Sequence, residues 1–259
     1  MLFRSGTNIA GIISADHNLD ENQCGLNPYS KIINIRSNNS SNATDFEGIS
    51  SAIDYAVSSG AKIINCSFGY APDNQLVKVS IDNAVNSGVI FVCGVSNEDR
   101  DDLDYPAAYD STIAVTGLNK GLDARGTYAY ESYINFAMPA QKINTTDIPN
   151  TNGNYTNPSG TSFSTPIVTA IVSRLLSNDP TMTREQVLEK LSQHSVQLPD
   201  GGSETGYGRI DVKSLALSYV NIEEKKISTV INNEDVILEF KVVNDKATNE
   251  VTRKVLEYM

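Results

Sequence analysis

The chain has 259 residues, of which 40% are apolar and 20% charged, and a formal net charge of -11. That composition can bury one large core, and its acidic balance excludes the clustered Lys and Arg with which a nucleic-acid partner is held. No apolar run approaches the roughly 18 residues of a membrane span, and the three cysteines form neither a disulfide framework nor a CxxC metal site.

The opening MLFRSGTNIAGIISA does not read as a signal peptide, because Ser5, Gly6, Thr7 and Asn8 interrupt the apolar stretch that a leader needs. From residue 31 to about 195, short apolar runs alternate with segments of helical period, the pattern of a parallel sheet with crossover helices. KIINIR (31 to 36), KIINCS (62 to 67), VIFVCG (89 to 94) and TIAVTG (112 to 117) are expected to be buried strands, with Cys66 and Cys93 as buried thiols. SNNSSNAT (37 to 44) is a polar loop.

Ile49, Ala52, Ile53, Ala56 and Val57 line one helical face, opened by Asp45 as cap and closed by Gly60. Val77, Ile81, Ala84 and Val85 repeat the spacing ahead of Gly88. The expected class is therefore α/β, a doubly wound, mainly parallel sheet with helices on both faces.

Asp99, Asp101, Asp102 and Asp104 surround Arg100 and are expected to form a solvated acidic loop, with preference for a basic ligand as the second reading. After residue 160, Ile167, Val168, Ile171, Val172, Leu175 and Leu176 make a broadly apolar, central helix that Asp179-Pro180 ends. Thr183 and Gln186 form a capping box for the next one. Beyond about residue 220, KKISTVI and DVILEFKVV flank Asn232-Asn233-Glu234 like a hairpin, and TNEVTRKVLEYM resembles a terminal helix. Residues 1–220 are read as the main domain and 221–259 as an appendage.

The chemistry centres on Gly160-Thr161-Ser162-Phe163-Ser164-Thr165-Pro166, which sets Ser162 between a glycine turn and an apolar helix. There, unpaired N–H groups and the positive end of the helix dipole can stabilise an oxyanion. On spacing alone the same run is an ordinary helix start, with Ser or Thr as cap and Pro in the first turn. Its surroundings point to the nucleophile. GTSFSTP resembles the nucleophile motif of the subtilisin-like serine peptidases, the subtilases, and that resemblance makes Ser162 the attacking serine.

Val92-Cys93-Gly94-Val95-Ser96-Asn97-Glu98 resembles the strand end carrying that family's oxyanion asparagine, which would be Asn97. Ser67-Phe68-Gly69 resembles the edge that pairs with an extended peptide substrate by β-augmentation. Tyr105-Pro106, Ala137-Met138-Pro139 and Gly206-Tyr207-Gly208-Arg209-Ile210 also match, so the resemblance covers residues 5 to about 219. An α/β-hydrolase is disfavoured, since its G-x-S-x-G elbow would need glycine where Ser164 stands, and a later histidine.

In subtilases the general base opens a His-Gly-Thr-x-x-Ala-Gly motif. Its counterpart here is Ser5-Gly6-Thr7-Asn8-Ile9-Ala10-Gly11, which puts Ser5 at the histidine position. The family's aspartate belongs tens of residues further upstream, on a strand this chain, beginning at Met1, does not contain. Two triad members are thus expected to be absent. Neither His17 nor His194 is a convincing substitute, and both are expected to face solvent.

The resemblance places the missing strand between 31–36 and 62–67, so those strands pair directly or something fills the slot, either the tail strands (226 to 241) or a partner chain. Direct pairing would rule out both fillers. Ser96, in place of the family's glycine before the oxyanion asparagine, is expected to strain the backbone and re-aim Asn97.

Asp16-His17-Asn18-Leu19-Asp20-Glu21-Asn22 falls where many subtilases carry a calcium loop, but a solvated polar loop is the preferred reading, and no other cofactor is expected. Three functional readings follow. They are a subtilisin-like endopeptidase homologue with lost or severely impaired catalysis, a peptide-binding or regulatory pseudoprotease, and a non-functional fragment of an active protease.

Overall fold

Short β-branched and apolar runs build the central sheet of the computed structural model. Strands β1 (Ile63–Cys66), β2 (Ile90–Gly94), β3 (Ile113–Leu118) and β4 (Phe136–Pro139) lie in that order, all parallel. The structure describes residues 2–16, 24–37, 44–98, 103–122, 128–129, 131–150, 153–199, 205–219, 221–222 and 242–243. The chain divides into two compact units, Met1–Ile210 and Asp211–Met259.

Alternation along β2 sets the two layers of the first unit. Phe91, Cys93 and Val95 share a buried cluster with Ile49 and Ile53 of α2 (Phe46–Ser58) and with Val77 and Ile81 of α3 (Gln75–Asn86). The first helix starts as the sequence indicates, Asp45 accepting from the Gly48 N–H, and the second is capped by Asn74, which accepts from the Val77 N–H. On the opposite face Gly94 lets α4 (Thr161–Asn178) approach closely, since a Cβ there would stand 2.6 Å from Thr165 Oγ1. Helices on both faces of a parallel sheet confirm the expected α/β class. Burial pushes the Cys93 thiol well up, and Cys66 beside it adds to the shift; both thiols are free.

Helix α1 (Leu2–Ser14) packs against α4 and against the hairpin formed by β5 (Thr145–Asn150) and β6 (Gly153–Thr156), which the sequence did not signal. After α4, helix α5 (Arg184–Gln193) carries the expected Thr183/Gln186 capping box. Strand β7 (Ser195–Val196) then pairs with β8 (Arg209–Ile210), and Gly208 O accepts from the Ala137 N–H of β4. In the second unit, Asp211 caps α6 (Val212–Leu217), and β9 (Asn221–Ile222) pairs antiparallel with β10 (Val242–Val243). The Asn232–Glu234 turn, the expected terminal helix and residues 17–23 lie outside the described residues.

One expected strand is not formed. Residues 31–36 join no ladder, and Ile32 and Ile33 are 45% and 41% exposed. An apolar run becomes a strand only where an edge takes its backbone hydrogen bonds, and among the described residues β1 pairs with β2 alone. The direct pairing of 31–36 with 62–67 is therefore absent, and β1 is an edge of the described sheet. Among the described residues no helix is long and apolar enough to cross a membrane.

Candidate active site

The carboxyl ends of β1 and β2 and the first turn of α4 converge on a cleft of about 190 Å³, lined by residues that include Ser67, Phe68, Gly69, Asn97 and Ser162. The structure therefore brings together the sequence-predicted nucleophile, oxyanion residue and peptide edge. Gly160 starts α4 at φ 140°, a left-handed backbone suited to glycine. Immediately after it the Thr161 N–H donates to Asn97 Oδ1 at 2.8 Å, and Thr161 Oγ1 donates to Val95 O at 2.6 Å and to Asn97 Oδ1 at 3.1 Å. Because only an oxygen can accept from that N–H, the bond fixes which way the amide faces and directs Nδ2 away from the helix. The Ser162 N–H, in the first turn, is one that no helical carbonyl can satisfy.

Ser162 and Ser67 are held reciprocally. Ser162 Oγ donates to Ser67 O at 3.2 Å, and Ser67 Oγ donates to Ser162 O at 3.0 Å. Behind them Asn65 Nδ2 donates to Ser67 Oγ at 2.8 Å, and Thr169 Oγ1 donates to Asn65 Oδ1 at 2.9 Å. Sequence reasoning missed this relay. Its signal was an asparagine inside the apolar run KIINCS, facing α4.

Ser5 is exposed on α1. The neighbouring Asn8 donates through Nδ2 to Thr146 O, and Thr146 Oγ1 donates to Thr7 O at 2.9 Å. That hairpin stems from Ala140 and Pro158, the carbonyls bonded to the N–H groups of Gly160 and Ile143. The other end of α1 is tied further along α4, Ser14 Oγ donating to Ser30 O and Ser30 Oγ to Ser173 Oγ. Helix α1 thus runs beside α4 in the same sense, with Ser5 toward the Ser162 end. His194 is half-buried at the C-cap of α5 rather than fully solvent-facing, and His17 lies outside the described residues.

Two expectations are corrected here. Ser96 is not strained, because Leu122 and Lys142 are the only non-glycine residues at positive φ among those described. Its N–H donates to Asp104 Oδ2 at 2.7 Å, and its Oγ accepts from the Glu98 N–H. Asp104 is not part of a solvated loop, being 4% exposed and one wall of the cleft. No group of three or more His, Cys, Asp or Glu able to hold a metal occurs among the described residues.

Beneath the cleft the backbones of Tyr70 and Tyr105 exchange hydrogen bonds of 2.7 and 2.9 Å. Tyr70 stacks on Tyr105, and Tyr105 packs against Tyr109. Burial pushes the hydroxyls of Tyr70 and Tyr133 up to about 12. The folded chain resists their ionisation while the unfolded chain ionises near 10, so this contribution is complete below pH 10 and disappears as pH rises to about 12. Urea midpoints are expected to fall across that window, and less steeply in Tyr70→Phe; equal slopes would contradict the assignment.

The Subtilase family profile matches residues 6–209. The chain belongs to the subtilase family. It is 30% identical over 217 residues to subtilisin from Bacillus pumilus, an alignment covering 82% of this chain and 76% of that protein. To the minor extracellular protease Epr of Bacillus subtilis it is 29% identical, over 82% of this chain but 33% of the relative. Among solved structures, fervidolysin from Fervidobacterium pennivorans, a keratinolytic enzyme related to subtilisin, superposes with a TM-score of 0.73 at 25% identity, covering 82% of this chain and 36% of that one. This subtilase therefore shares the fold of those proteases, and Ser162, Asn97 and the Ser67–Gly69 edge lie within the matched span.

Proposed function

We propose that this subtilase binds extended peptides along Ser67–Phe68–Gly69 and has lost, or nearly lost, peptide-bond hydrolysis at Ser162. The observation that carries the reading is the hydrogen bond from Ser162 Oγ to the Ser67 carbonyl. A carbonyl oxygen accepts a hydrogen bond but cannot take up the proton, and a serine hydroxyl is a weak nucleophile until a base does so. Ser5, at the position of the family's histidine, cannot serve, because a hydroxyl is not basic at neutral pH.

The binding half rests on different groups. The exposed Gly69 and half-buried Ser67 leave backbone available to an added strand, Phe68 offers apolar surface, and Asn97 Nδ2 is aimed away from the helix it caps. A fluorescently labelled extended hexapeptide should bind with a Kd in the micromolar range and remain intact after a day's incubation. Absence of binding at millimolar peptide would refute the binding half, and steady multiple-turnover cleavage the other.

A further inference from the structure

The main sheet ends differently on its two sides. At β4 the backbone is met by the chain leading into β8, the Tyr207 N–H donating to Asn135 O and Gly208 O accepting from the Ala137 N–H. Among the described residues β1 has no such cover. Lys62 O accepts from the Ile90 N–H of β2, and successive residues of a strand direct their backbone groups to opposite sides. The N–H and C=O groups of Ile63 and Asn65 therefore point away from β2, where no described residue pairs with them. Ile63, Ile64 and Asn65 are only half-buried, whereas β2 is buried throughout.

Residues 31–36 cross from one face of the sheet to the other past this side. Ser30 Oγ donates to Ser173 on α4, and the Ser37 carbonyl lies against Gly48 of α2 on the opposite face. Between them the backbone of residues 31–35 makes no hydrogen bond among the described residues, and Ile32 and Ile33 are exposed, as are Leu26 and Tyr29. Lys31, Arg36 and Lys62 are the only charged residues of the two runs, KIINIR and KIINCS, and all three are exposed in a chain of net charge -11.

We infer that the β1 edge and residues 31–36 receive an extended segment of another polypeptide, an apolar run flanked by carboxylates. Main-chain bonds to Ile63 and Asn65 would hold it by strand addition. Helices on both faces of the sheet demand apolar side chains on both sides of such a strand, and the lysines select acidic flanks. A second copy of this chain fits less well, since it would set the same cations against each other under a repulsive net charge. The inference is independent of peptide binding in the cleft, because Ser67–Gly69 begins where β1 ends.

The probe is a labelled peptide, Ile-Val-Ala-Val-Ile between two pairs of glutamates, followed by fluorescence anisotropy. It is expected to bind with a Kd in the micromolar range, and about ten-fold more weakly when alternate amides are N-methylated or when lysines replace the glutamates. The double variant Lys31→Glu, Lys62→Glu, altered only at exposed positions, should reverse the preference between the two flanks. Hydrogen exchange should slow at the Ile63 and Asn65 amides when the probe is bound. Excess of the cleft hexapeptide should leave it in place. No binding at millimolar probe, equal affinity for acidic and basic flanks, or displacement by the hexapeptide overturns the inference. So does protection of Ile63 and Asn65 before any probe is added, which would show the edge already covered by the chain's own residues. A dimer in sedimentation at micromolar concentration that the probe does not dissociate would assign the edge to a second copy instead.

Discussion

A fluorophosphonate probe is expected to leave Ser162 essentially unlabelled under conditions that label an active subtilisin to completion. Such probes react with the oxygen of a serine whose proton is being removed, so labelling reports the base rather than the fold. In subtilisin, loss of the histidine alone lowers turnover by about a million-fold, roughly 8 kcal/mol of barrier. Here the Ser162 proton is directed to the Ser67 carbonyl, and Ser67 Oγ in turn holds the Ser162 carbonyl, so the pair is a closed structural clasp. Ser5→His is the informative variant, because α1 carries residue 5 toward the Ser162 end of α4. It should raise the labelling rate at least about ten-fold, as expected of a positioned base. Mass spectrometry of the intact chain reads both results. Labelling of the unaltered chain at a rate near that of subtilisin would show that some other group takes the proton.

The parts of this site that were legible in the sequence are local ones. A glycine before a hydroxyl-rich helix start fixes Ser162, and an apolar strand ending in Ser96-Asn97 fixes Asn97; each needs only a few neighbouring residues to adopt its conformation. Helix caps at Asp45 and Thr183 were equally legible, because their hydrogen bonds close within three residues. What failed depends on distant partners. Residues 31–36 have the composition of a strand but pair with no edge of the described sheet, so Ile32 and Ile33 remain exposed. Asp104 sits in an acidic stretch that reads as solvated, yet the Ser96 N–H and the Tyr70–Tyr105 pairing draw it inward. Ser96 was expected to be strained on the strength of the family's glycine. The backbone takes an ordinary conformation there, and the serine hydroxyl bonds the Glu98 N–H.

The stability of the molecule and the geometry of its cleft meet at Gly160, and Gly160→Ala is expected to destabilise the chain by about 3 kcal/mol. Two costs combine. The residue sits at φ 140°, where an L side chain is strained by about 1–3 kcal/mol. A Cβ there would also lie 2.9 Å from Asn97 Oδ1, closer than real Cβ atoms approach, so Asn97 has to move. That movement breaks or lengthens the 2.8 Å bond from the Thr161 N–H, leaving the start of a largely buried helix short of an acceptor, at about 1–2 kcal/mol. Urea unfolding should show the lowered midpoint with an unchanged slope. The functional consequence is separable from the loss of stability. Under conditions where the variant is still folded, Asn97 no longer directs its Nδ2 as in the unaltered chain, and peptide affinity should fall several-fold. Asn97→Ala, with no clash at residue 160, should reproduce that loss of affinity with a smaller stability cost. A Gly160→Ala chain as stable as the original would mean that the turn at the head of α4 yields freely, and that the alignment of Asn97 does not depend on it.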